Sequence, residues 1–203
     1  KNLFFFDDLN NDQLINFKKK NNIYQSLFII ISKSGNTIET LINFKSLKIL
    51  KKNAKNIIII SEKKNNKLFS ISKKYNLPFI EHKNYIGGRY SVLSEVGILP
   101  AYLMGVNTQL IRKKSEKYLK NNQKNFLKKN TEILANFILV KKFKNIILLN
   151  YEPKLEKFLF WYQQLCAESL GKQGLGLLPI ISNAPKDHHS LLQLYLDGPS
   201  DKI

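Results

Sequence analysis

Arginine, cysteine, methionine and tryptophan are all scarce in this chain of 203 residues, which has two arginines and one of each of the others. A single cysteine, Cys166, excludes an internal disulfide and fits a reducing compartment. No apolar run approaches the roughly 20 residues of a membrane-spanning helix, and the longest candidates, 27–31 and 57–60, have strand length. No membrane partner is therefore expected, and the residues from Lys1 onward lack the basic, apolar and small-residue series of a secretory signal. Acidic residues are also few, 15 against 33 basic, for a net charge of +18. Such an excess suits nucleic acid. Arg89 and Arg112 are the only arginines, however, and the lysines are scattered among abundant Asn and Ile instead of gathering in one arm. Solvated lysine faces explain that distribution, so no nucleic-acid partner is expected.

What is present is a core's worth of apolar residues, 43%, enough for one large domain or two small ones. Strand and helix patterns alternate. Residues 27–32 form a β-branched run that stops at a polar turn, after which Ile38, Leu41 and Ile42 recur at helical spacing. Residues 56–61 predict a second strand, a lysine-rich helix follows to about Tyr75, and 77–81 predict a third strand interrupted by Pro78. Residues 92–104 carry a single charge, Glu95, and predict a buried helix. From 106 to 144 the pattern is one of long, lysine-punctuated helix. A new cycle follows, with a strand at 145–150 and a helix from Pro153 to about Leu170, striped by Leu155, Phe158, Leu159, Tyr162, Cys166 and Leu170 and ended by Gly171. A strand at 177–182 and a helix at 190–196, opened by Asp187, His188 and His189, complete it. The alternation predicts an α/β fold of parallel sheets flanked by helices, a three-layer α/β/α arrangement. The expected division is 1–105, a helical connection at 106–143, and 144–203.

Ligands in such folds bind beyond the carboxyl ends of the strands, and four clusters fall at such places or on elements leading from them. Ser32-Lys33-Ser34-Gly35-Asn36-Thr37 sets three hydroxyls and a glycine at a helix start, where backbone amides accept phosphate or a hydroxyl simply caps the helix. Gly87-Gly88-Arg89 combines a bend that leaves room for a ligand with a side chain suited to anionic oxygens; its plain alternative is a tight turn with a surface arginine. Gln164 and Glu168 lie four apart on one helical face near Trp161, where apolar surroundings would favour a general base, although a solvated carboxylate is the commoner case. His188 and His189 precede a helix, placed either to shuttle protons or to cap. The three histidines and Cys166 lack ligand spacings, so neither a metal nor a cofactor is expected. Gly171, Gly174 and Gly176 follow a helix instead of preceding one, which is the wrong context for a dinucleotide loop.

Taken in order, Ser-Lys-Ser-Gly-Asn-Thr-Ile-Glu-Thr at 32–40, Tyr-Ile-Gly-Gly-Arg-Tyr-Ser at 85–91, Gln-Leu-Cys-Ala-Glu-Ser-Leu-Gly-Lys at 164–172, and then His189-Ser190, Gln193-Leu194 and Asp197-Gly198-Pro199, resemble the glucose-6-phosphate isomerases of bacterial type, of the sugar-isomerase-domain superfamily, over nearly the whole chain. The resemblance implies an aldose-ketose isomerase of the cytoplasm, working as a homodimer on a phosphosugar in glycolysis and gluconeogenesis. It implies that Ser32, Lys33, Ser34 and Thr37 hold the sugar phosphate, Lys33 through its backbone, and that Gly88 and Gln164 contact substrate. Arg89 would stabilise the enediolate, Glu168 would move the proton between C1 and C2, and His189, from the neighbouring subunit, would assist ring opening. Family members are about twice as long, with a glycine-serine phosphate loop earlier and a catalytic lysine later. The expectation is thus an internal segment, the later part of one sugar-isomerase lobe and the earlier part of another, with little activity alone. A non-catalytic phosphosugar-binding module is the alternative, one that would have no need of Glu168 or His189.

Overall fold

β-Branched residues concentrate in short runs, and those runs become the strands. The computed structural model describes residues 2–140 and 142–203, which divide into two compact units, Lys1–Thr108 and Gln109–Ile203.

In the first unit, helix α1 (Asn11–Lys20) leads to strand β1 (Phe28–Ile31), helix α2 (Ile38–Leu47), strand β2 (Ile57–Ser61), helix α3 (Lys67–Tyr75), strand β3 (Phe79–Glu81), a 3-10 helix (Gly88–Leu93) and helix α4 (Glu95–Leu103). The three strands are parallel in the order β1-β2-β3, with Phe28 opposite Ile57 and Ile59 opposite Phe79. As the central strand, β2 is covered on both faces, and Ile57, Ile59 and Ile60 are completely buried. Pro78 lies one residue before β3, where it still accepts from Ile59 N–H at 2.9 Å without owing the ladder a donor. Leu14 and Phe17 of α1, Leu41, Phe44 and Leu47 of α2 and Leu68 of α3 close over the sheet, each burial stabilising by about 1.5–3 kcal/mol. Phe17 meets Phe28 edge-on at 6.2 Å between ring centres.

Helix α4 departs from the expected buried helix. None of its residues is buried, and Tyr102 is exposed. Its close contact is with the 3-10 helix before it: a Cβ on Gly97 would stand 2.1 Å from the Val92 carbonyl oxygen. The helix is therefore docked on its own leading turn instead of being enclosed between layers.

The second unit follows. The expected continuous helix over 106–144 is two helices, α5 (Thr108–Lys117) and α6 (Asn121–Leu139); position 141 lies outside the described residues. The break comes where Tyr118 and Leu119 close i to i+3 bonds onto Ser115 and Glu116, and Lys120 turns extended at φ −118°, ψ 150°. Strand β4 (Asn145–Asn150), helix α7 (Glu156–Leu170), strand β5 (Leu178–Asn183), a 3-10 turn (Lys186–His189) and helix α8 (Leu192–Asp197) come next. β4 and β5 are parallel, with Asn145 opposite Leu178 and Asn150 opposite Asn183. On the other side of β4 the chain pairs again, in parallel at Lys202, with Ile147 N–H donating to Ile203 at 2.7 Å. Chain crossovers to both sides of β4 make its carboxyl end a topological switch point, the usual ligand position in doubly wound sheets.

On α7 the expected stripe holds only in part. Leu159, Tyr162 and Cys166 are half-buried, but Leu155, Phe158 and Leu170 are exposed. Leu155 belongs to a preceding 3-10 turn (Pro153–Leu155), and Gln163 takes a place on the covered side, donating to the Pro179 carbonyl at 2.7 Å. A hydrogen bond with Cys166 and burial push the Tyr162 phenol up to about 12. Among the described residues no helix is long and apolar enough to cross a membrane.

Candidate active site

The turn after β1 is held together by its own hydroxyls. Ser32 is buried and its N–H donates to Ile60 at 3.1 Å, extending the sheet ladder by one bond. Its Oγ lies 2.7 Å from Thr37 Oγ1, accepts from Gly35 N–H at 3.1 Å, and stands 3.5 Å from Ser34 Oγ. Thr37 occupies the N-cap position of α2, yet it makes no capping bond because its hydroxyl is turned to Ser32. The plain cap considered from the sequence is thus not what the hydroxyl does, and among the described residues the N–H groups of Ser34 and Thr37 donate to nothing. A ring of hydroxyls and open amides at the positive end of a helix is suited to a phosphate dianion.

Gly35 makes this turn possible. It adopts φ +68°, and a Cβ there would lie 1.9 Å from Asn66 Oδ1. Asn66 in turn caps α3 at Phe69 N–H, 2.8 Å, while Asn36 Oδ1 accepts from Lys67 N–H at 3.0 Å. The phosphate turn is thereby fastened to the start of the next helix.

The Lys33 side chain points elsewhere. Its ammonium donates to the carbonyls of Ile86, at 2.7 Å, and Asn84, at 3.1 Å, and lies 3.7 Å from Glu62. Glu62, buried at the end of β2, also pairs with Lys64. The Lys64 hydrogen bond, reinforced by the charges of Lys64 and Lys33, holds the Glu62 carboxyl below its ordinary value despite burial. Loops following all three strands are thus joined through one ammonium group.

The double glycine is not a left-handed bend. Gly87 sits at φ −63°, ψ 145°, Gly88 opens the 3-10 helix, and neither has a positive φ. Space, not backbone freedom, is what Gly88 provides: a Cβ on it would meet nothing within 4 Å. Arg89 is half-buried, with its guanidinium carbon 5.7 Å from the centre of the Tyr90 ring.

Sequence reasoning passed over His82 and Glu95. His82 follows β3, is 2% exposed, and hydrogen-bonds through Nδ1 to Glu95 Oε1 and through Nε2 to the Ile86 carbonyl at 3.1 Å. The available signal was a histidine directly after the third expected strand, 77–81.

In the second unit, Gln164 Nε2 donates to Glu168 Oε1 at 2.9 Å, so the two residues meet on one exposed face of α7 as their spacing implied. His189 stands exposed on the 3-10 turn after β5, inside that turn instead of at the start of α8. Its neighbours are tied down. Asp187 Oδ2 accepts from Asn183 N–H at 2.7 Å and Ser182 Oγ at 3.0 Å, and His188 Nε2 lies 2.9 Å from Tyr151 Oη. Among the described residues no cluster of His, Cys, Asp and Glu could hold a metal ion.

A model of the family described as phosphoglucose isomerase matches residues 1–175. The chain belongs to the phosphoglucose isomerase family. It is 36% identical over 208 residues to a glucose-6-phosphate isomerase of Methanocaldococcus jannaschii, covering 100% of this chain and 52% of that protein. It is 34% identical over 213 residues to one of Campylobacter jejuni, covering 100% and 52%. Among solved structures, a hypothetical protein of Thermus thermophilus superposes with a TM-score of 0.82 at 26% identity, over 98% of this chain and 51% of that one. A glucose-6-phosphate isomerase of Chlamydia trachomatis shares the fold, with a TM-score of 0.62 at 19% identity, over 92% of this chain and 40% of that one. The chain spans about half the length of the curated relatives it matches.

Proposed function

We propose that the full-length protein containing this chain interconverts glucose 6-phosphate and fructose 6-phosphate, as a cytoplasmic homodimer without cofactor. In this reading residues 1–105 are the later part of one sugar-isomerase lobe, 106–143 a helical connection, and 144–203 the earlier part of another. The observation that carries the proposal is the β1 to α2 turn, where Ser32, Ser34 and Thr37 surround an uncapped helix start. Binding energy from that remote phosphate orients the sugar for reaction. Lys33 contributes through its backbone, and Gly88 leaves room for the substrate.

The Glu168 carboxylate takes the proton from C2 of the open-chain aldose and returns it to C1. As the C–H bond breaks, negative charge grows on the carbonyl oxygen, and Arg89 offsets it. The Gln164 amide, donating to Glu168, fixes the carboxylate and contacts substrate. His189, supplied by the second subunit, exchanges a proton with the ring oxygen during opening.

The test is Glu168→Gln in the full-length protein. Phosphosugar binding should survive within about threefold, while kcat falls by at least about a thousandfold, in the range of losing a general base together with its positioning. A variant retaining a tenth of the parent kcat would remove Glu168 from the mechanism.

A further inference from the structure

The segment that carries Arg89 runs from the end of β3 to the start of α4. Gly87 and Gly88 have no side chains, and the space beside the Gly88 Cα is empty. The two ends of the segment are tied together. One hinge point is the Ile86 carbonyl, directly before the double glycine, which accepts from both Lys33 Nζ at 2.7 Å and His82 Nε2 at 3.1 Å. A carbonyl oxygen only accepts, so His82 Nε2 bears a hydrogen. The other ring nitrogen bonds to Glu95 Oε1, on the first residue of α4. Between these ends, Ser91 Oγ donates to Gly88 at 2.6 Å and Ser94 Oγ to Ser91 at 2.7 Å. One nearly inaccessible imidazole, 2% exposed, thus joins the two ends of the segment to each other.

We infer that His82 and Glu95 are positioning residues that set where the Arg89 guanidinium stands, an inference that rests on the proposed role of Arg89. Gly87, directly after Ile86, accepts from Tyr90 N–H at 3.0 Å, so a displacement of Ile86 carries into the 3-10 helix that bears Arg89. A shift of about 1 Å at a group acting on the transition state costs up to about a hundredfold in rate.

The experiment is a double-mutant cycle in the full-length protein, using Glu95 because its side chain is 24% exposed and tolerates change better than the buried ring. Glu95→Ala should lower kcat about tenfold or more with KM within about twofold, and Glu95→Gln, which keeps an acceptor, should restore most of it. In an Arg89→Lys background the same Glu95→Ala change should lower kcat by less than about twofold, because the residue acts through a guanidinium no longer there. Equal losses in both backgrounds, or a lowered unfolding midpoint with unchanged kcat, would overturn the inference and leave the role of Arg89 standing. An Arg89→Lys variant with full kcat would overturn both.

Discussion

Gly35→Ala tests whether the phosphate turn depends on its geometry or only on its composition. The added methyl would start 1.9 Å from Asn66 Oδ1 and 2.2 Å from Asn66 Cγ, on a backbone at φ +68°. The left-handed conformation alone costs an L-residue about 1–2 kcal/mol. Asn66 is 4% exposed and cannot step aside freely, since its Oδ1 caps Phe69 N–H at 2.8 Å and its Nδ2 donates to Glu62 at 2.8 Å. Loss of the cap costs about 1 kcal/mol, and loss of a buried hydrogen bond a similar amount. The substitution should therefore destabilise the protein by about 3–4 kcal/mol.

Urea unfolding of the full-length protein reads that loss, and KM for glucose 6-phosphate together with inhibition by inorganic phosphate reads the turn. KM should rise about tenfold or more as Ser34 and Thr37 leave their positions around the helix start. Gly88→Ala is the matched control, with ordinary φ and empty space at the Cβ; its stability should stay within about 0.5 kcal/mol of the parent. A Gly35→Ala protein with parental stability and KM would refute the argument, because the turn would then be adaptable enough to bind phosphate without the left-handed glycine.

Two further outcomes follow from the groups beside that turn. Lys33→Met removes the donor to Ile86 and Asn84 and should lower kcat about tenfold while leaving inhibition by inorganic phosphate within about twofold; a large loss of phosphate affinity would instead put the ammonium on the substrate. Glu62 is held below its ordinary value of 4.5, so the unfolded chain binds its proton more readily than the folded one. The resulting stabilisation is complete above that ordinary value and is lost as pH falls through the folded one. Glu62→Gln should accordingly lower the urea midpoint near neutral pH, with the difference shrinking steadily below pH 4.5. A difference independent of pH would show that the carboxylate charge contributes nothing.

The strands were legible because β-branched runs bounded by turn residues leave little choice: 27–32 and 56–61 were expected, and Phe28–Ile31 and Ile57–Ser61 form. Helix α1 was passed over because its buried residues, Leu14 and Phe17, sit among Asn and Lys, so that its apolar stripe is only two residues wide. Phase was the harder quantity on α7, since the 3-10 turn at Pro153 takes Leu155 out of the helix, and Phe158 lies at the edge of the arc formed by Leu159, Tyr162 and Cys166 and is exposed. The meeting of Gln164 with Glu168 needed only helical spacing and was readable at once.

Partners set by tertiary structure were not readable, and Lys33 shows why. A cation beside a phosphate-binding turn invites pairing with the phosphate, and residue type and spacing alone offer no other partner. In the folded unit, parallel pairing brings the ends of β1, β2 and β3 to the same edge of the sheet, and with them the Glu62 carboxylate and the carbonyls of Asn84 and Ile86. Glu62 and Ile86 have further partners in Lys64 and His82, but one ammonium reaches all three groups, and hydrogen bonds to a charged group contribute about 1.5–3 kcal/mol. The ammonium that satisfies them therefore contributes more to the fold by turning away from the turn, while the amides and hydroxyls of that turn remain available to an anion without it. The same physics accounts for His82, whose two ring nitrogens meet groups four and thirteen residues further along the chain. The nearer partner is a main-chain carbonyl in a segment that is not helical and the farther stands at no regular spacing, so only closure of the segment between them brings the three together.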